Sequence, residues 1–157
     1  MICPCQNPSS VSAQEYANCC EPLHQGIKQA QCPEVLMRSR YSAFYLGLGN
    51  YIYQTHHSDF RNGSPEDYQQ SAENTEWCCL EVLESEQVED TGTVNFKAYF
   101  IDKDKLHCLH EISNFVRENG QWFYTDGEYQ PKKVEKISRN DPCPCNSGHK
   151  AKKCHLK

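Results

Sequence analysis

The stretch Val94-Asn95-Phe96-Lys97-Ala98-Tyr99-Phe100 alternates apolar and polar side chains with a period of two. That is the pattern of a β-strand with one buried face. The same alternation starts at Trp77, with Cys78, Leu80 and Val82, and returns over residues 106–116 and 121–125. Asp90-Thr91-Gly92, Asp102-Lys103-Asp104 and Asn119-Gly120 separate these runs as turns, the last being the strongest hairpin signal in the chain. Upstream the period lengthens to that of a helix. Pro33-Glu34 suits a first helical turn, and Met37, Tyr41, Phe44 and Leu48 then form one apolar stripe. Gly47 and Gly49 close that helix, and Asn50 is positioned to cap a short continuation through Ile52 to His56. Ser64-Pro65-Glu66-Asp67 opens a further helix running to about Glu73. Helices followed by an antiparallel meander predict an α+β domain.

Composition bounds the setting of that domain. The chain has 157 residues, 11 cysteines and a formal net charge of -5. An odd number of cysteines cannot all pair internally, and a core of about 100 residues needs no disulfide staples. No stretch of some 18 apolar residues is present, so no membrane span is expected. The opening Met1-Ile2-Cys3-Pro4-Cys5 lacks the basic and apolar regions of a secretion signal. Abundant unpaired cysteine points to a reducing compartment, hence a cytoplasmic protein. Charge is unevenly spread: residues 131–157 carry seven lysines and Arg139 against Glu135 and Asp141, whereas the rest is strongly acidic. The acidic body repels polyanions, and the basic tail has no aromatic side chain on which bases could stack, so nucleic acid is not an expected partner.

Seven of the cysteines fall into two groups. Cys143-Pro144-Cys145 is followed after eight residues by Cys154-His155. Three thiolates and an imidazole make a complete tetrahedral zinc set, with no position open for catalysis. Lys150, Lys152 and Lys153 offset the thiolate charge. Cys3-Pro4-Cys5 and, thirteen residues on, Cys19-Cys20 repeat the plan with four sulfurs, His24 being an alternative to Cys20. Free thiols or disulfides are the competing reading at both sites, and an adjacent Cys-Cys pair can oxidise only with strain. Two zinc ions per chain are expected, held by Cys3, Cys5, Cys19 and Cys20 and by Cys143, Cys145, Cys154 and His155. Cys32, Cys78, Cys79 and Cys108 remain for core packing, Cys78 and Cys108 in phase with apolar strand positions.

The segment Arg139-Asn140-Asp141-Pro142-Cys143-Pro144-Cys145-Asn146-Ser147-Gly148, closing with Lys152-Lys153-Cys154-His155, resembles the SEC-C motif. That zinc module ends the bacterial preprotein translocase ATPase SecA, where it contacts the chaperone SecB and ribosomes. Cys3-Pro4-Cys5, Cys19-Cys20-Glu21-Pro22-Leu23-His24-Gln25-Gly26, the run from Leu36 to Phe44 and the run from His110 to Tyr124 resemble the bacterial YchJ-like family. The resemblance implies a cone-shaped, cystatin-like or nuclear transport factor 2-like (NTF2-like) domain between two SEC-C motifs. The domains would be residues 1–28 and 131–157 as zinc modules and 29–130 as the NTF2-like core. One departure is that Gln6-Asn7-Pro8-Ser9 replaces the Ser-Gly turn and lengthens the N-terminal loop.

Glu111 shares a strand face with His107, Ser113 and Phe115. The expected role of Arg38 or Arg40 on the first long helix is an ion pair with Glu111, tying helix to sheet. His56-His57-Asp59 reads as a helix end, with imidazoles near the negative pole of the dipole. No catalytic or cofactor-binding residue is assigned. The first functional expectation is a non-enzymatic, zinc-stabilised interaction module with a protein partner, of chaperone, translocation or ribosome-associated kind by resemblance only. The alternative is a small-molecule binder or enzyme using a pocket in the central cone, with Glu111 as an acid inside it.

Overall fold

The computed structural model describes all 157 residues. Four helices precede the sheet in sequence: α1 (Glu21–His24), α2 (Pro33–Leu46), α3 (Gly49–Thr55) and α4 (Pro65–Glu73). Five strands follow: β1 (Trp77–Val88), β2 (Thr91–Asp102), β3 (Lys105–Glu118), β4 (Gln121–Tyr129) and β5 (Lys133–Lys136). The strands form one antiparallel sheet in the order β1-β2-β3-β4, and β5 pairs with the start of β3. This is the expected α+β arrangement.

Alternation sorts the side chains. Val94, Phe96, Ala98 and Phe100 of β2 stand opposite Ser113, Glu111, Leu109 and His107 of β3, all on the face that looks toward the helices. There α2 lays Leu36 and Met37 onto Val94, Phe115 and Trp122, a cluster sealed from water. Each such large side chain contributes roughly 1.5–3 kcal/mol on burial. The opposite face carries Cys79, Tyr99 and Leu106, on which the C-terminal segment packs Ile137, Cys143, Cys145 and Ala151.

Local signals account for most boundaries. Ser64 and Asp67 form a reciprocal capping box at the start of α4, with Pro65 in its first turn. Asn119 and Gly120 both take positive φ, 52° and 78°, in the two-residue β3–β4 turn. The β1–β2 turn differs from expectation: Glu89, with φ 54°, and Asp90 make it, while Thr91 and Gly92 already pair within β2. Leu48 also departs from the expected stripe. Gly47 ends α2 in the left-handed conformation, φ 73°, and Leu48 falls between helices. Gly49, not Asn50, then opens α3, because α3 presses there against α4. A Cβ on Gly49 would stand 2.6 Å from the Cα of Gln69, and the Gly49 N–H donates to Gln69 Oε1 at 2.7 Å.

The strand β5 is an addition to the sequence reading, which ends the sheet at Thr125. Gln130 still donates its N–H to His110 O. Pro131 cannot donate, and pairing resumes at Lys133 opposite Cys108. One edge of β3 is thereby occupied along nearly its whole length.

Gly49→Ala should destabilise the chain by about 1–3 kcal/mol, because the methyl group would force α3 away from a packed neighbour. A denaturant midpoint that moves down with unchanged steepness is the expected result.

Candidate functional site

The C-terminal cysteines lie on two short segments that backbone bonds hold face to face. Cys143 N–H donates to His149 O at 2.8 Å, and a bridge pairs Pro142 with Lys150. A single 3-10 turn, Ala151–Lys153, then delivers Cys154 and His155. His155 Nδ1 stands 3.2 Å from both Cys143 Sγ and Cys154 Sγ, and Cys145 Sγ is 3.5 Å from Cys154 Sγ. The four ligand atoms lie within 4.8 Å of one another.

The N-terminal cluster is built the same way. Cys3 N–H donates to Gln14 O at 2.9 Å, a bridge pairs Ile2 with Glu15, and a 3-10 turn, Tyr16–Asn18, delivers Cys19 and Cys20. Matching bonds recur in both modules: Gln6 N–H to Cys3 O and Asn146 N–H to Cys143 O, then Tyr16 N–H to Met1 O and Ala151 N–H to Asp141 O. Cys19 and Cys154, each ending its 3-10 turn, share an uncommon backbone conformation (φ -122°, ψ -91° and φ -135°, ψ -102°). The longer N-terminal loop, Asn7 to Ala13, is looped out without disturbing this frame. The structure brings Cys20 to the sulfur cluster and keeps His24 away from it. His24 Nε2–H donates to Ser39 O at 2.8 Å and Nδ1 accepts from Tyr16 O–H at 2.7 Å, so both ring nitrogens are engaged.

These dimensions can be tested against a metal. A tetrahedral zinc–thiolate set, with bonds of about 2.3 Å, separates neighbouring sulfurs by about 3.8 Å. Cys3–Cys5, Cys5–Cys20, Cys5–Cys19 and Cys19–Cys20 are separated by 3.7, 3.7, 3.5 and 3.9 Å. All eleven thiols are free, and these spacings are far beyond a disulfide bond. Burial pushes the Cys19 thiol up, with the neighbouring Cys3 charge adding to the effect, and burial pushes Cys145 up to about 12. Hydrogen bonds from neighbouring groups instead pull Cys3 down, and at Cys154 they outweigh burial to the same effect. One thiol of each cluster is thus favoured as a thiolate, and a cation among them would favour ionisation of the rest. Gln6 Nε2 lies 3.4 Å from Cys5 Sγ and Ser147 Oγ 3.6 Å from Cys154 Sγ, donors that suit sulfur carrying negative charge. The residues therefore fit zinc at both ends.

The two modules meet beside the start of β1. Ser9 Oγ–H donates to Asn146 O at 2.5 Å, and Cys79 S–H contacts Pro144 O at 3.3 Å. On the other side the N-terminal module rests on α2, where Arg38 Nη1 donates to Cys5 O at 2.9 Å and Ser42 Oγ lies 3.5 Å from Cys3 Sγ.

Between α2, α4 and the inner face of the sheet lies a cavity of about 490 Å³. Aromatic rings make up much of its wall. Glu111, only 5% exposed, enters it from β3, and its Oε2 accepts from Ser113 Oγ–H and, at 3.0 Å, from Tyr124 O–H. Gly127 makes room for that carboxylate, since a Cβ there would collide with it. Arg40, 8% exposed, spends Nη1 on Ile52 O and Thr55 Oγ1 and stacks its guanidinium 4.7 Å from the centre of the Tyr124 ring. Burial pulls Arg40 down to about 10, which leaves it cationic at neutral pH.

The expected ion pair with Glu111 is not formed. Tyr124 bonds the carboxylate and stacks on Arg40, occupying the place between them, while Arg38 pairs with Glu34 at 2.9 Å, one helical turn back. His56 follows the last turn of α3 as expected. It also donates from Nε2 to Thr125 O at 2.8 Å and accepts at Nδ1 from Tyr68 O–H at 2.7 Å, and burial holds its pKa below the ordinary value. His57 instead bonds Glu118 at 2.8 Å. Cys78 and Cys108 are buried as expected, whereas Cys32 and Cys79 are only half-buried. Tyr124 and Trp77 escaped the sequence reading as cavity residues, and Arg40, named there only as a possible ion-pair partner of Glu111, is instead buried in the cavity wall. Arg40 left a signal: it sits at i+3 from Met37 and i+4 before Phe44, within the apolar stripe itself.

The chain is similar to known proteins over nearly its whole length. Residues 32–127 match the family model described as YchJ, middle NTF2-like domain, and residues 139–157 match the SEC-C motif. The SEC-C match thus covers one end of the chain. A UPF0225 protein of Vibrio parahaemolyticus is 39% identical, over 97% of this chain and 96% of its own length. One from Shewanella sp. strain MR-7 is 40% identical, over 99% and 96%. Among solved structures, a SEC-C motif containing protein from Rhodopseudomonas palustris superposes with a TM-score of 0.73 at 32% identity, covering 83% of this chain and all of that one. Another from Psychrobacter arcticus gives 0.71 at 32% identity, covering 99% and 96%.

Substituting Cys20→Ser should reduce the zinc content of purified protein from two ions per chain to one, while His24→Gln should leave it at two. Elemental analysis of the two variants beside the unaltered protein reads this directly.

Proposed function

The chain belongs to the bacterial UPF0225 family, whose middle domain is YchJ-like, and on that basis we propose a cytoplasmic protein stabilised by two zinc ions. Its ligands are Cys3, Cys5, Cys19 and Cys20 at one end and Cys143, Cys145, Cys154 and His155 at the other. Zinc supplies folding free energy at such sites, because the ligands gather only in the folded chain. With four protein ligands each, both sites are closed and structural. The observation that carries this reading is the tetrahedral spacing of the ligand atoms, in two modules that share backbone bonds. The N-terminal module is accordingly a second SEC-C motif with an enlarged loop, and residues 1–28, 29–130 and 131–157 are the natural divisions of the chain.

The C-terminal module is the contact surface for a protein partner. Lys132, Lys133, Lys136, Arg139, Lys150, Lys153 and Lys157 lie exposed on or beside it, giving a basic surface on an otherwise acidic protein. Resemblance to the SecA module points to a chaperone, a translocation component or the ribosome. Rim charges of this kind chiefly speed association and orient the partner.

A second reading is favoured by the cavity. The space between α2 and the Glu111 face is open, and a buried carboxylate and a buried guanidinium both border it. A small-molecule binder, or an enzyme with Glu111 as its acid–base group, follows from that arrangement.

Stripping zinc with a chelator should lower capture of purified ribosomes or of the export chaperone at least tenfold, while the far-UV circular dichroism of the central sheet largely persists. Zinc-free protein that captured both as well as the native form would overturn the interaction reading.

A further inference from the structure

The polar groups around the cavity leave a specific set of bonding positions unused. Glu111 directs Oε2 to Ser113 and Tyr124, the Tyr129 hydroxyl also stands close to the carboxylate, and Oε1 makes no hydrogen bond of good geometry within the chain. A carboxylate accepts only, and each oxygen has two lone-pair directions. Arg40 engages Nη1 alone, so Nε and Nη2 are left over. Tyr41 Oη and Trp77 Nε1 also lack partners, but both atoms are sealed behind the wall and do not open on the cavity. Buried polar groups are normally paired, so a cavity bordered by one spare acceptor and several spare donors is suited to a ligand that supplies both.

The walls narrow the class. Phe44, Trp77, Phe96, Phe100, Phe115 and Tyr124 surround the space with rings, which favours a flat aromatic occupant through edge and face contacts. Charge narrows it again. Glu111 and Arg40 carry opposite charges at one cavity, so a ligand with net charge of either sign meets one of them unfavourably. The volume of about 490 Å³ suits a molecule of one or two rings.

We propose that the central cavity binds a small neutral aromatic molecule whose hydroxyl or ring N–H donates to Glu111 Oε1, with the free guanidinium N–H groups of Arg40 donating to its acceptor groups. This rests on the second reading above, that the cavity is a small-molecule site, and adds the ligand class and the residue that reads it.

Three probes test it on the full, zinc-loaded chain: 4-propylphenol, 4-propylanisole with the donor masked, and 4-propylbenzoate with an anion in its place. Calorimetry, with proton–nitrogen NMR following the Trp77 indole, should find one phenol per chain, bound at least tenfold more tightly than anisole or benzoate. In Glu111→Gln the hydroxyls of Ser113 and Tyr124 fix the amide oxygen. The amide NH2 then faces the ligand's donor, so the preference for phenol over anisole should vanish. The comparison on the unaltered chain stands even if that variant misfolds. If none of the probes binds, the small-molecule reading itself fails. If anisole binds as well as phenol, if benzoate binds best, or if a folded Glu111→Gln keeps the preference, the cavity remains a binding site and the proposed ligand class is overturned.

Discussion

The pairing of β2 with β3 runs without a register shift from Thr91 opposite Val116 to Asp102 opposite Lys105, and the rest of the molecule depends on it. A strand shows its side chains alternately to either face, so a slip of one residue would exchange the two faces entirely. Phe96, Ala98, Phe100 and Glu111 would turn away from α2, and Tyr99 and Leu106 would leave the C-terminal module without its floor. The neighbouring pairings tolerate irregularity. Bulges interrupt β1 against β2 at Trp77–Cys79 and Val82–Glu84, and β3 against β4 at Ser113–Phe115. The unbroken central pair sets register, while the bulges bend the flanking strands around the helices.

Much of this was legible in the chain because its causes are local. The cap at Ser64, the Asn119-Gly120 turn and the period-two runs each act over a few residues, and each identified its element. The paired cysteines were readable for a different reason: soft ligand atoms at short spacing are the pattern of a metal site. What escaped was long-range. Lys133–Lys136 has no apolar alternation and is a strand only because the edge of β3 is there to receive it. Leu48 follows the helical period of α2 but lies beyond the helix, because the packing of α3 on α4 fixes where the chain must bend.

The cavity shows the same limit. Glu111 was visible as an acid on an apolar strand face, yet its partner was assigned to α2 when Tyr124 of β4 supplies it. Charge alone suggested an ion pair. A tyrosine that bonds the carboxylate and stacks on the guanidinium satisfies part of each group and leaves the remainder open. At positions as buried as these, partial satisfaction is costly, which makes the spare bonding positions of Glu111 and Arg40 informative.

The position of the two cysteine modules has one more effect. β1 is the edge strand of the sheet on the side away from β4, and an uncovered edge can recruit a strand from another molecule. Here the modules, joined through Ser9 and Asn146, stand beside its first residues. Farther along, the Val82–Glu84 bulge breaks the regular ladder, and Glu81, Glu84 and Glu86 load it with like charge. Two copies brought edge to edge would set those carboxylates against one another. The modules at one end of β1 and the carboxylates along the rest make this edge a poor template for a strand from another molecule.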